Sequence, residues 1–438
     1  MKLRREFLLY IAVFAALLLS LYLLMVLFAA IPNAAITNNI FDSANYFVNA
    51  DPYVFSEDGQ HQNIADNYAD QIWTNIGWNM GRGNPFRSVL DTKYYDGEQY
   101  ASSAGLYLAI TRDMEANTDY TRYWHGTASL IRFLHLFTNV HGIKNIGMVC
   151  LLLLIAQTVL ILCRMDYWDL GLAVLISLIC VQFWNLRLSI EYLPCFLISF
   201  GLCPAFLRLE KKGNAHLNIL SVVSGTLTAF FDFLTTETVT ILIPLILIIA
   251  IRSRERRLHS PRKVLKLLAG CCLSWLAAYA GTFAIKWIAV SLATGKNHLL
   301  VAIHAAGNRI NGAVPQEMQK TPGIFLAIGA NFSAMFEGTS RADIQQAISG
   351  LIVVIMLLMM IYLLYKVRSK PYPGTGFLLL LGCVVLLRFG ILVNHSYMHA
   401  FFTYRALAST ILAVLAALVI NLRPVKQKGY LSESKRQA

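Results

Sequence analysis

Charge is scarce in this chain. Asp, Glu, Lys and Arg together make up 14% of its 438 residues, while the hydrophobic types make up 57%. A water-soluble domain carries about a quarter charged residues, so a soluble globular fold is excluded. Cysteine is missing from every long polar stretch. All eight (Cys150, Cys163, Cys180, Cys195, Cys203, Cys271, Cys272 and Cys383) fall in apolar runs. That excludes a disulfide-stapled outer domain, and no spacing among them fits a zinc site. Internal repeats and low-complexity tracts are also lacking, which removes the inverted-repeat signature common in transporters.

What the chain does have is a series of apolar runs of roughly 18 residues or more, each long enough to cross a bilayer core of about 30 Å. They predict an all-α, polytopic transmembrane helical bundle of about ten spans, near 7–30, 145–163, 169–186, 189–207, 217–234, 236–251, 264–290, 346–366, 375–393 and 404–422. The net charge of +13 raises the question of nucleic acid. Its distribution answers it: Lys and Arg concentrate in the segments assigned to the cytoplasm, while most acids lie on the other side, the positive-inside pattern. The charge reports orientation, with both termini cytoplasmic in a cell membrane, and no nucleic-acid partner is expected. The apolar run after MKLRREF exceeds the roughly 7–15 residues of a signal-peptide core, which predicts an uncleaved first span.

The expected organisation is a first span (1–30), a large ordered extracytoplasmic loop with interfacial helices (31–144), spans two to seven (145–290), a second extracytoplasmic loop (291–345), spans eight to ten (346–422) and a cytoplasmic tail (423–438). The first loop holds 12 of the 24 acidic residues. Within it, IADNYADQIW sets Asp66 and Asp70 four apart on one helix face. The run RYWHGTASLIRFLHLF alternates apolar and cationic positions like a helix lying at the interface. The 35 residues from 217 to 251 have basic flanks at both ends. That predicts a hairpin of two short arms meeting at FDFLTTET, with Asp232 and Glu237 near the outer boundary. Glu191, Lys286, His395, His399 and Arg405 fall at the same level.

Ionisable side chains next to lipid are costly and mark a cavity or a partner. Arg122, Lys286, Arg388 and Arg405 suit a phosphate or diphosphate group, and a carboxylate within reach of a hydroxyl nucleophile would supply general-base catalysis. Bland readings stand beside these. Asp66 and Asp70 also fit a solvated helix face, RYWHG an aromatic anchor at the interface, and Asp232 and Glu237 structural ion pairs with Lys286 or Arg405. His395 and His399 have the i, i+4 spacing of a metal pair but lack a third ligand, so no metal residue is assigned and a divalent cation is left open.

The layout of a large acidic loop after the first span, followed by many helices, resembles the GT-C superfold of membrane glycosyltransferases. The stretches YADQI, RYWHG, FDFLTTET, KW and NHSYMHAFFTYR resemble bacterial multi-pass proteins of cell-surface polysaccharide type. FDSANYF is similar to the acidic motif some GT-C members carry after the first span, with Ser43 replacing the second acid. The resemblance implies transfer of a sugar from a polyprenyl-phosphate-linked donor to a glycan or glycolipid acceptor on the outer face, with membrane lipids as further partners. Asp66, Asp70 and Asp42 are then the catalytic candidates. Arg122, Tyr123, Trp124, His125, Glu191, Asp232, Glu237, Lys286, His395, His399 and Arg405 are the substrate-binding candidates, and Thr235 and Thr236 would add backbone donors if they open the second arm. A lipid-linked-sugar transporter or flippase, or a non-catalytic protein of envelope assembly, are the rival readings.

Overall fold

The computed structural model describes residues 2–54, 64–97, 103–258, 260–311, 323–336, 362, 365 and 374–422. It is almost entirely helical. The first helix α1 (Lys2–Ala29) leads into α2 (Asn33–Asn49), α3 (Asn67–Met80), α4 (Pro85–Ser88), α5 (Gly105–Thr111) and α6 (Gly126–Leu134). Next come α7 (Val140–Arg164), α8 (Trp168–Cys180), α9 (Pro194–Leu209), α10 (Asn214–Phe231), α11 (Val239–Arg254) and α12 (Pro261–Thr294). The last described helices are α13 (His298–Asn311), α14 (Ile324–Phe336), α15 (Thr375–Ile391), α16 (Val393–Met398), α17 (Ala400–Thr403) and α18 (Leu407–Leu422). Two antiparallel ribbons of two residues per strand interrupt the helices, β1 (Tyr53–Val54) with β2 (Ala65–Asp66) and β3 (Lys93–Tyr94) with β4 (Thr118–Asp119).

Five helical stretches are long and apolar enough to cross a membrane: Arg5–Ala29, Val140–Arg164, Ile190–Lys212, Pro261–Thr294 and Ala400–Leu422. Other expected spans are shorter. The 169–186 run stops as a helix at Cys180, because Gln182 takes a left-handed backbone (φ 51°) and the chain continues as a 3-10 turn over Phe183–Leu188. α11 has only 16 residues, about 24 Å of helix. Every one of its residues is buried, so it is an inner strut of the bundle. The expected span 346–366 apart from Tyr362 and Tyr365, the tail 423–438, and the parts 312–322 and 337–345 of the second loop, Lys320 included, lie outside the described residues.

Two apolar cores divide the work. The larger joins α7–α12, α15 and α18. The second is built by the 31–144 segment on the far half of α1, where Leu18, Leu21, Met25 and Val26 pack with Ile40, Phe47, Trp73, Ile76, Leu106 and Ile131. The 31–144 segment is therefore clamped along the side of a helix long and apolar enough to cross a membrane. α10 and α12 cross closely at Gly225, where an added Cβ would lie 2.3 Å from the Trp275 carbonyl oxygen.

The RYWHG run departs from expectation. α6 does not present its cationic position to solvent; Arg132 is wholly buried. The guanidinium donates to the carbonyls of Phe28 and Gly77 (3.0 and 2.9 Å), to that of Ile31, and to the Asn33 side chain (2.7 Å). The orphan carbonyls at the end of α1 accept this cation favourably, so the helix turns inward.

Candidate functional site

The site is assembled from four pieces of chain that meet around the N-terminus of α3. Asp66 is the last residue of β2, opposite Tyr53, and the N-cap of α3, where its carboxylate accepts the Ala69 N–H at 2.8 Å. Asp70 follows in the first helical turn, where the helix dipole favours a negative charge. Both are buried, Asp70 completely. The turn at 189–191 closes on them: Ser189 Oγ and the Ile190 N–H each donate to Asp70 at 2.8 Å, and the Lys144 ammonium from α7 is 2.7 Å from its other oxygen. Asp70 is thus fully committed to protein groups. It holds the turn that carries Glu191.

Asp66 has a different neighbourhood. Its carboxyl hydrogen-bonds that of buried Glu191, and its pKa is pushed up to about 7, mainly by burial, with the Asp70 charge adding to the shift. Two carboxyls in such contact share a proton. The result is a buried acid pair poised to exchange a proton near neutral pH, the condition a general base requires.

The third piece is the 232–238 link between α10 and α11. The predicted half-helix start at Thr235 and Thr236 is not found, because α11 opens at Val239. Asp232 instead captures the Thr235 N–H (3.1 Å), and Leu234 adopts a left-handed backbone, φ 67°. That conformation is strained for leucine and persists only when neighbours hold it. Here the Leu234 carbonyl accepts from Arg388 at 2.7 Å and from His395 Nε2 at 2.9 Å. Arg388 also pairs with Glu237 (2.9 Å) and donates to Ser396 (3.1 Å). Glu237 and His395 are therefore braces of the link. Burial lowers the pKa of His395 well below the ordinary value and brings His399 to about 4, so both rings are neutral. They lie 4.7 Å apart, and among the described residues no group of three or more His, Cys, Asp or Glu has the arrangement of a metal site.

The fourth piece is the aromatic-basic run. Tyr123 is buried against Phe233 (4.6 Å between rings) and Tyr120 (5.9 Å). The guanidinium of Arg122 lies over the Tyr120 ring at 4.5 Å and near the Tyr123 ring at 5.6 Å. Arg309, from α13, stands 5.6 Å from the same Tyr123 ring and hydrogen-bonds its hydroxyl. Both arginines have a buried Nε without a partner, and among the described residues neither pairs with a carboxylate. Two cations against one ring with no counter-charge make a place for an anion. Asp232 is near enough to raise the Tyr123 hydroxyl pKa, after burial and against Arg309. His125, at φ 61°, presents Nε2 to the Tyr120 carbonyl at 2.6 Å, and burial drops its pKa well below the ordinary value. Its Nδ1 is then a bare acceptor, buried and unpartnered.

The remaining candidates fall elsewhere. Arg405, wholly buried, lies over Tyr192 (4.3 Å) and Tyr404 (4.8 Å), and Tyr192 donates to the Ile64 carbonyl next to the acid pair. Trp124 is enclosed between helices, its indole N–H on the Thr282 carbonyl (2.7 Å) and its ring stacked on Phe230 (5.3 Å). Lys286 is buried below it and donates to the carbonyls of Val89 and Leu90 (3.2 and 2.6 Å). Both bind protein. Asp42 is exposed on α2 and makes no hydrogen bond or ion pair among the described residues. Lys144, Arg309 and Tyr53 were not among the site candidates read from the sequence. Arg388, a charge inside an apolar run that was expected to meet phosphate, pairs with Glu237 instead.

No protein-family model, curated protein or solved structure matches this chain.

An apolar cavity of about 500 Å³ opens beside the site between α6, α7, α9 and α10. Leu130, Ile146, Leu197, Leu202, Leu227 and Phe231 are among its walls, and Thr127 and Ile190 mark the end nearest His125 and Glu191. Leu130 and Ile146 are 40% and 42% exposed, so the cavity opens sideways, toward where lipid would be.

Proposed function

We propose that this chain is a multi-pass, GT-C-like membrane glycosyltransferase of inverting type. In this reading a sugar passes from a polyprenyl-phosphate-linked donor to a cell-envelope glycan or glycolipid on the outer face. The observation that carries it is one juxtaposition. A proton-sharing acid pair, Asp66 and Glu191, is joined through Asp232, whose charge reaches both Glu191 and Tyr123, to two arginines, Arg122 and Arg309. These arginines face the Tyr123 ring and have no carboxylate pair among the described residues, and an apolar cavity opens beside Ile190 and Thr127. A lipid-phosphate sugar has three matching parts: a long hydrocarbon chain, an anionic phosphate and a carbon to be attacked.

Each step follows from a named group. The isoprenoid chain would lie along Leu130, Ile146 and Leu197. Its phosphate would sit against Arg122 and Arg309, and the Tyr120, Tyr123 and Phe233 rings offer faces for the sugar. Asp66 takes the proton of the acceptor hydroxyl as its oxygen bonds to the anomeric carbon. The carbon–oxygen bond to phosphate breaks from the opposite side, its electron pair staying on the phosphate oxygen, where the two guanidiniums meet the charge. Glu191 tunes Asp66, while Asp70 and Lys144 fix the position of both.

The test is transfer of labelled sugar from a polyprenyl-phosphate donor by purified protein in liposomes. Asp66→Asn is expected to abolish transfer while the protein still accumulates in the membrane and folds. Full activity in Asp66→Asn would refute the role of this carboxylate. One feature also fits a proton-coupled carrier of the same lipid, since a buried acid pair is a common proton station. Lipid counterflow without covalent product would favour that reading.

A further inference from the structure

A second cavity, about 510 Å³, lies at the other end of α3. The 14 residues of that helix put it roughly 20 Å from the acid pair. Three cations (Arg82, Arg87 and Lys93) and three carboxylates (Asp91, Asp113 and Glu115) line it. Arg82 pairs with Asp113 and donates to the Met114 carbonyl at 2.6 Å, and Lys93 lies 3.3 Å from Asp91. Arg87 and Glu115 are left over, exposed and with no side-chain partner among the described residues.

The depth of this cavity can be read from two helices. Tyr22 of α1, seven residues before its end, donates to the Phe86 carbonyl at 3.1 Å. Lys286 of α12, eight residues before its end, donates to the Val89 and Leu90 carbonyls. At 1.5 Å per residue, the 85–90 segment sits about 10 Å below the ends of two helices of membrane-spanning length. Phe86 is 57% exposed there. A mixed-charge pocket thus borders an aromatic side chain turned toward lipid, at the level where headgroups begin.

We propose that this pocket binds the headgroup of a zwitterionic phospholipid with a primary ammonium, the phosphatidylethanolamine class. Arg87 meets the phosphate and Glu115 the ammonium, while Phe86 lies against the acyl region. The lining selects within lipids. Among the described residues it contains no aromatic ring, so it lacks the cage a quaternary ammonium prefers. Its three carboxylates oppose a purely anionic headgroup.

The experiment is native mass spectrometry of the full chain taken from liposomes of equal parts phosphatidylethanolamine, phosphatidylcholine and phosphatidylglycerol. Phosphatidylethanolamine should be retained roughly three- to tenfold over each of the other two lipids, the effect of two exposed charge contacts. The double variant Arg87→Ala/Glu115→Ala should return retention to the bulk ratio with unchanged melting, since both side chains are exposed. Retention that follows bulk composition in the wild type overturns the proposal, as does enrichment that survives in the double variant. Binding of soluble phosphoethanolamine to lipid-free protein without enrichment of the lipid overturns the membrane source.

Discussion

Replacing Lys144 by methionine tests the architecture of the site most sharply. The change leaves the Asp70 carboxylate completely buried and without its counter-charge 2.7 Å away. Removing one partner of a buried ion pair costs about 3–5 kcal/mol. Asp70 keeps the Ser189 hydroxyl and the Ile190 N–H, which places the expected loss near the lower end, about 3 kcal/mol. Asp70→Asn strands Lys144 in turn, though that ammonium retains the Leu188 carbonyl at 2.8 Å. The double variant Lys144→Met/Asp70→Asn removes both charges while the amide oxygen still accepts from Ser189 and Ile190. It should fall within about 1 kcal/mol of the wild type, giving a coupling energy of at least about 2 kcal/mol. Reversible unfolding in mixed micelles, followed by tryptophan fluorescence, measures all four corners of the cycle. Simple additivity of the two single changes would contradict the view that this pair clamps the 188–190 turn to α3.

Other consequences are read in the same way. Asp66 has a folded pKa of about 7, above its unfolded value near 3.8. Its contribution to stability is therefore complete below about pH 4 and is lost as pH rises to 7, and Asp66→Asn should flatten that slope in unfolding measured across the range. The same group as base predicts transfer activity that climbs through pH 7 to a plateau, which a pH–rate profile would show. Arg309→Gln should lower transfer at least tenfold with little change in melting, because the side chain lacks a carboxylate partner to strand; an unchanged rate would remove it from the anion site. Gly225→Ala puts a methyl 2.3 Å from the Trp275 carbonyl and should destabilise by about 1–3 kcal/mol, seen as a lower melting temperature in detergent.

Composition and period were enough to read the helical class, because burying a backbone in lipid leaves few alternatives to helix. Asp66 and Asp70 were legible as carboxylates four apart on one helix face, though Asp66 caps that helix rather than standing on its face. The difference in their roles was hidden. It depends on Lys144 and Ser189, residues 74 and 119 positions beyond Asp70 in the chain, which no local pattern connects to it. Trp124 and Lys286 looked like ligand groups because they are polar or aromatic at the right level; packing between α10 and α12 encloses Trp124, and the carbonyls of Val89 and Leu90 take up Lys286. Arg132 was misread for the converse reason, since its acceptors are main-chain carbonyls that carry no side-chain signal. Span length was the least readable quantity. A left-handed residue such as Gln182 breaks an apolar run into shorter helices without altering its hydropathy.

The central claim is that the acid pair, the two arginines and the lateral cavity form one site for a lipid-linked sugar. Cryo-electron microscopy of the Asp66→Asn protein incubated with a polyprenyl-phosphate sugar tests it directly. The account predicts phosphate density against both Arg122 and Arg309, the chain running past Leu130 and Ile146, and the anomeric carbon facing residue 66. Phosphate bound away from these arginines, or a chain that leaves the cavity between α7 and α9 empty, would contradict it.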